Sequence, residues 1–276
     1  MSNEITTTPE WTADPDRLVA LRQEHNLPEV GAKRVAFGDD DEWDLADRLA
    51  VVDVNTKKLF GIHSSDYRLV PHESGLALVE EVAHRGEKFF GPFRTEVEQY
   101  DDGRRMKATL TFHESEHVVT SNGFKDTVNP TINYFNSYDC MWAERLGFGA
   151  YRLVCSNGLI IGEKILSERV IHIGARPDDF FMNLEKAFEA FKGQTEVWTH
   201  WHDVKATDKY IEPALTAFND NQQEEINNEI AETKNISLWL FYNIMTALIT
   251  HKVRSLQRRV FLNNHLRRVT SSWPTS

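Results

Sequence analysis

The chain has 276 residues, 41% of them hydrophobic, and a net charge of −11. That length suits one large domain or two small ones with a substantial core, and no apolar run approaches the roughly 20 residues needed to cross a bilayer. "MSNEITTTPEW" lacks the basic and apolar regions of a secretory signal, and Cys140 and Cys155 are too few for a disulfide framework, so the expectation is a reduced, cytoplasmic protein.

Residues 1–47 read as an acidic, poorly packed arm. Within it "DPDRLVALRQEHNLP" is a short helix, with Asp14 as N-cap, Pro15 at the first helical position and Pro28 ending it. "FGDDDEWDLADR" then concentrates negative charge. Such a run is either a solvated linker or a partner-directed, autoinhibitory arm over a basic groove.

A core domain is expected over residues 48–176. "RLAVVDV" and "LFGIHSS" are strands around a polar turn that carries Lys57 and Lys58. "PHESGLALVEEVAHRG" has Leu76, Val79 and Val82 at helical intervals, with Gly86 as the stop. "FRTEVEQYDDGRRMKATLTF" is a hairpin turning at Asp102-Gly103. Met106, Ala108, Leu110 and Phe112 should face a core, leaving Arg105 and Lys107 on the other face. Further strands are expected at 130–135, 149–155 and 168–173. The fold class is therefore α+β, an antiparallel sheet in β-β-α-β-β-β order.

A helical part is expected over residues 177–276. "PDDFFMNLEKAFEAFK" aligns Phe180, Leu184, Ala187, Phe188 and Phe191, with Gly193 as the stop. Helices follow around 204–218, 222–231 and from Ser237, where "LNNH" is a candidate break. In the last of these Met245, Ile249, Val253, Leu256 and Val260 form an apolar stripe, and His251, Arg254, Arg258, His265 and Arg268 follow another line.

Charge is distributed unevenly. From Asn235 to Ser276 there is no acidic residue, while Lys252, Arg254, Arg258, Arg259, Arg267 and Arg268 give +6, which leaves −17 for the remainder of the total −11. A polyanion responds to local potential rather than to the sum. Candidate nucleic-acid-binding residues are Lys57, Lys58, Arg104, Arg105, Lys107, Arg152, Arg254, Arg258 and Arg259, with Tyr134, Tyr138 and Tyr151 near the central segment. The competing reading is an ordinary solvated face and a helix packed on its own core.

Catalytic signatures are weaker. Cys155 lies in an apolar strand, where a buried structural thiol is favoured over a nucleophile. His200, His202 and Asp203, with His172, are candidate metal ligands. They would share a face on a strand, but on a helix the two histidines point about 200° apart. No P-loop, dinucleotide fingerprint or GxSxG is present, and no cofactor is expected.

"NSYDCMWAERLGFGAYRLVCSNGLIIG" resembles the central motif of the phage- and plasmid-associated family designated domain of unknown function 932. Members show Asn-Ser-His-Asp-Gly-Ser, matched by Asn136, Ser137 and Asp139, then Arg-x-Val-Cys-x-Asn, matched by Arg152, Val154, Cys155 and Asn157. "SLWLFYNIMTALITH" is similar to the family's Trp–Asn–Thr–His helix through Trp239, Asn243, Thr246 and His251, so the likeness spans about 48–269. Tyr138 stands where the family has histidine, and Cys140 and Met141 replace its Gly-Ser. The strand and helix order also resembles the single-strand annealing domain of recombination mediators and phage recombinases, which form rings with DNA in a basic outer groove. These resemblances imply a mobile-element protein that binds single-stranded DNA and anneals strands as a homo-oligomer, without a membrane partner. Fold analogy alone does not carry function. The alternatives are a metal-dependent enzyme on nucleic acid or nucleotide, and a host-interaction or counter-defence protein using its acidic arm.

Overall fold

A computed structural model describes residues 13–39, 42–115, 117–121, 124–152, 157–159, 167–169, 177–233 and 235–275. The class is α+β, with two antiparallel sheets and a helical C-terminal part. Two compact units arise, one from Met1–Leu110, Ile132–Gly147 and Ser167–Glu185, the other from Thr111–Thr131, Phe148–Leu166 and Lys186–Ser276. This partition interleaves the chain and differs from boundaries at 47 and 176 because long strands belong to both units.

In the first unit α1 (Pro15–Glu24) begins as expected, with Asp14 accepting from the Asp16 amide at 3.1 Å. Of the arm, residues 1–12, 40 and 41 lie outside the described residues, and α1 packs against the chain that follows. Leu21 is buried, Arg22 reaches Glu73 at 2.9 Å and Arg17 reaches Glu80 at 2.5 Å. β1 (Val30–Asp39) then pairs antiparallel with β2 (Glu42–Asp53), which pairs with β3 (Leu59–Ser64). The alternation in "RVAF" and "RLAVVDV" has the period of a strand, and pairing outweighs the acidic composition between them.

α2 (His72–Phe90) runs past Gly86 to Gly91, whose φ is 74°. Gly86 is not the stop, because Phe90 beyond it is buried and rewards another turn of helix. The hairpin is as read. β4 (Phe93–Tyr100) and β5 (Arg105–Phe112) are neighbours, and Asp101, Asp102 and Gly103 between them all have positive φ. Met106, Ala108, Leu110 and Phe112 are fully buried. At about 25 cal/mol per Å² this one face makes a major contribution to the core.

β5 neighbours β7 (Phe124–Ser137), which neighbours β8 (Arg145–Arg152) and then β10 (Ser167–Arg169). β6 (His117–Ser121) pairs with β7, and β9 (Asn157–Leu159) with β8. Within the first unit Val51, Phe60, Leu69 and Tyr138 form one buried cluster, with Val30, Ala32 and Tyr67 against it.

α3 (Pro177–Asp203) does not stop at Gly193, where a Cβ would meet nothing within 4 Å. In the second unit Phe191, Trp198 and Trp201 are buried on this helix. The side chains of Phe180, Leu184, Ala187 and Phe188 lie outside the described ones. α4 (Asp208–Leu215), α5 (Asp220–Glu232), α6 (Leu238–His251) and α7 (Leu256–Thr270) follow. "LNNH" stays helical; the break falls at residues 252–255 instead, where Ser255 caps α7 by accepting from the Arg258 amide. α6 buries Trp239, Phe241, Tyr242, Met245 and Ile249. Among the described residues no helix is long and apolar enough to cross a membrane.

Candidate functional site

The segment after β7 closes on itself through the family-like residues. Asn136 donates to the Val70 carbonyl at 2.8 Å. Ser137 Oγ donates to the Trp142 carbonyl at 2.9 Å and accepts from the Trp142 amide at 3.1 Å, pinching residues 137–142 into a loop. Asp139 accepts from the Met141 amide at 3.1 Å and from Arg105 at 2.8 Å. Arg105 also meets Asp101 at 2.9 Å, tying the hairpin turn to the loop. Bonding to Asp139 raises the Arg105 pKa, so its charge is permanent there.

Tyr138 is a packing residue. Its ring is fully buried, stacked 5.6 Å from Phe60 and 4.0 Å from His72. Its hydroxyl accepts from the His72 amide at 2.7 Å. α2 has Pro71 at its N-cap and no side-chain cap bond of its own, so Tyr138 satisfies one of the helix's orphan donors. Burial lowers the His72 pKa from 6.5 to about 3 against the opposing bond to Gly103, and the neutral ring donates Nε2–H to the Gly103 carbonyl at 3.0 Å.

Beside this lies a pair that local sequence reading missed. His63 is buried, stacked 3.9 Å from Tyr67, and donates Nε2–H to the Tyr138 carbonyl at 2.7 Å. Its Nδ1 lies 3.2 Å from the Sγ of Cys140, which is exposed and has φ 57°. A Cβ on Gly61 would come within 2.4 Å of the Tyr138 oxygen and 2.6 Å of His63 Nε2. Glycine therefore keeps that hydrogen bond possible. The partners are 77 residues apart, and no spacing rule joins them. Cys155, the thiol weighed from sequence, lies outside the described residues.

Glu144 is buried and accepts from Tyr134 Oη at 2.7 Å. Burial pushes its pKa from 4.5 to about 7, against the opposing Tyr134 bond. A raised folded-state pKa means stability that is present below pH 4.5 and lost as pH rises through about 7. Glu144→Gln keeps the acceptor and removes the ionisation. It should be more stable than wild type by about 2–4 kcal/mol at pH 8 and little different at pH 4.5, by urea denaturation. His72 works in the opposite sense, full above 6.5 and lost toward 3, so the difference between variant and wild type isolates Glu144.

The candidate cations fall into two sets. In the first unit Lys57 donates to the Val54 carbonyl and Lys58 pairs with Asp102. Arg104 donates to the Leu59 carbonyl at 3.4 Å, and Lys107 pairs with Glu98 at 2.6 Å. With Arg105 on Asp139, the hairpin's charge is largely matched by carboxylates. Lys57 and Arg104 are held by carbonyls, whereas Lys58, Arg105 and Lys107 each meet a carboxylate. Tyr134 and Tyr138 are buried and offer no face to a base; the side chains of Tyr151 and Arg152 lie outside the described ones.

In the second unit Arg258 donates to the Ala217 carbonyl at 2.5 Å and lies over Phe261 at 5.0 Å. Arg259 donates to the Val253 carbonyl at 2.5 Å. Carbonyls orient these groups without cancelling their charge. Arg254 and Arg268 are exposed, and Lys252 pairs with Glu225 at 3.3 Å. His200, His202 and Asp203 sit in the last turn of α3, where helical spacing separates the histidines. Among the described residues no group of three His, Cys, Asp or Glu is placed to hold a metal.

Trp239 and Asn243, the family-like residues of α6, also serve packing. Trp239 Nε1 donates to Asp126 at 2.9 Å, and Asn243 donates to the Trp239 carbonyl at 2.7 Å. No curated protein and no solved structure matches the chain. One family model does, over residues 59–273, and its description is Domain of unknown function (DUF932). That span takes in β3, the loop with Asn136, Ser137 and Asp139, and α6 with Trp239, and the chain belongs to the DUF932 family.

Proposed function

We propose that this chain is a non-enzymatic single-stranded-DNA-binding protein that acts as a homo-oligomer and promotes strand annealing. Its polyanion interface lies on α7 and the turn before it. The observation that carries this is the acid-free stretch from Asn235 to Ser276, whose arginines 258 and 259 are held by carbonyls rather than carboxylates. Uncancelled charge is what a phosphate backbone reads. Phe261 is 48% exposed beneath Arg258, and an aromatic face beside a cation suits base stacking. The hairpin is the weaker contact, because a phosphate at Arg105 or Lys107 would have to displace Asp101, Asp139 or Glu98 from its partner.

Fluorescence anisotropy with a labelled oligothymidylate tests the assignment. Replacing Arg254, Arg267 and Arg268 together by alanine should flatten the log–log salt slope by ~2, with the thermal midpoint unchanged. Lys107→Ala should leave affinity within about twofold, since a contact matched by Glu98 releases few counterions. An unchanged slope in the triple variant, or a large loss in Lys107→Ala, would move the interface back to the hairpin. Light scattering with and without oligonucleotide checks the oligomer: a single monomeric mass in both would remove the annealing assembly.

A further inference from the structure

We propose that Cys140 and His63 form a nucleophilic thiol site that exchanges with low-molecular-weight disulfides, a modification site on residues other than those proposed to meet DNA. A working thiol needs an accessible sulfur, a base within reach and a third group that orients the base. Cys140 is exposed. His63 Nδ1 lies 3.2 Å from Sγ, and the Tyr138 carbonyl holds Nε2 at 2.7 Å. A carbonyl only accepts, so Nε2 carries the hydrogen and Nδ1 is the nitrogen free to take the thiol proton. The Tyr67 ring 3.9 Å away and the bare Cα of Gly61 fix the imidazole plane. Burial, reinforced by the Asp139 charge, raises the Cys140 pKa. The sulfur therefore rests as a thiol and ionises as it attacks.

The exchange balances as follows. Sγ of Cys140 attacks one sulfur of R–S–S–R; the new S–S bond forms as the old one breaks. The thiol proton passes to His63 Nδ1 and then to the departing sulfur. Cys140 is oxidised to a mixed disulfide, and one R–SH leaves reduced. The added group then projects from the loop that Ser137 and Asp139 hold closed.

An aromatic disulfide that releases a coloured thiolate is the probe, used on the native full chain. Wild type should give one fast equivalent, located on the Cys140 peptide by mass spectrometry and lost in Cys140→Ser. His63→Gln should slow that phase about tenfold or more at pH 7. The wild-type rate should reach its plateau well below the pH at which this thiol ionises by itself. In His63→Gln the rate should instead climb tenfold per pH unit. An unchanged rate in His63→Gln would overturn the proposal. If that variant does not fold, the wild-type profile decides: a rate that tracks hydroxide through pH 9 would equally overturn it.

Discussion

Gly75→Ala should destabilise the protein by about 3 kcal/mol or more, whereas the same change at Gly193 should stabilise it by about 0.5–1 kcal/mol. Both glycines lie inside helices, α2 and α3. In each an added methyl removes backbone freedom from the unfolded chain and favours helix. The difference lies in what the methyl meets. At Gly193 there is nothing within 4 Å, but at Gly75 the Cβ would fall 1.8 Å from Tyr134 Oη and 2.3 Å from its Cζ. Tyr134 cannot easily swing away, because it is 1% exposed and its hydroxyl is held by Glu144 at 2.7 Å. The helix must shift or the ring must leave the core. Urea denaturation of the two variants checks this, and equal midpoints would contradict the packing described for α2.

Trp239→Ala should cost about 4 kcal/mol, and Trp239→Phe about 1.5–3 kcal/mol. The indole is 2% exposed, with its centroid 5.4 Å from Trp198, and its N–H reaches the fully buried Asp126 at 2.9 Å. Alanine removes ring contacts and leaves a cavity in the second unit. Phenylalanine keeps most of the apolar volume and deletes a hydrogen bond to a carboxylate. The gap between the two variants thus separates packing from hydrogen bonding. A Trp239→Phe protein as stable as wild type would show that the Asp126 contact contributes nothing net. The family-like Trp and Asn of α6 would then need another explanation.

The legible parts of the sequence were those set by neighbours along the chain. Asp14 and Pro15 announced α1, Asp102-Gly103 announced the hairpin, and the alternation from Met106 to Phe112 announced which face is buried. Helix ends read from glycine failed twice, at Gly86 and Gly193, because tertiary burial of Phe90 and Trp198 extends each helix through a residue of poor propensity. The pairing within the arm is not legible because composition reports charge and not partners: β1 pairs with β2. The site was less legible still. Whether Arg105 and Lys107 are open cations depends on Asp139, 34 residues from Arg105, and on Glu98 across the hairpin. His63 and Cys140 meet only after the β3 segment and the loop at 138–142 fold together. By contrast, the cationic character of α7 was visible at once, since it follows from the absence of acids in the sequence itself.

The salt dependence of single-stranded oligonucleotide binding tests the central claim most directly. If the five arginines of the C-terminal segment meet phosphates, log K should fall against log salt with a slope of ~−3.5, a loss of about two orders of magnitude between 50 and 200 mM. No binding at 50 mM, or an affinity indifferent to salt, would contradict the account.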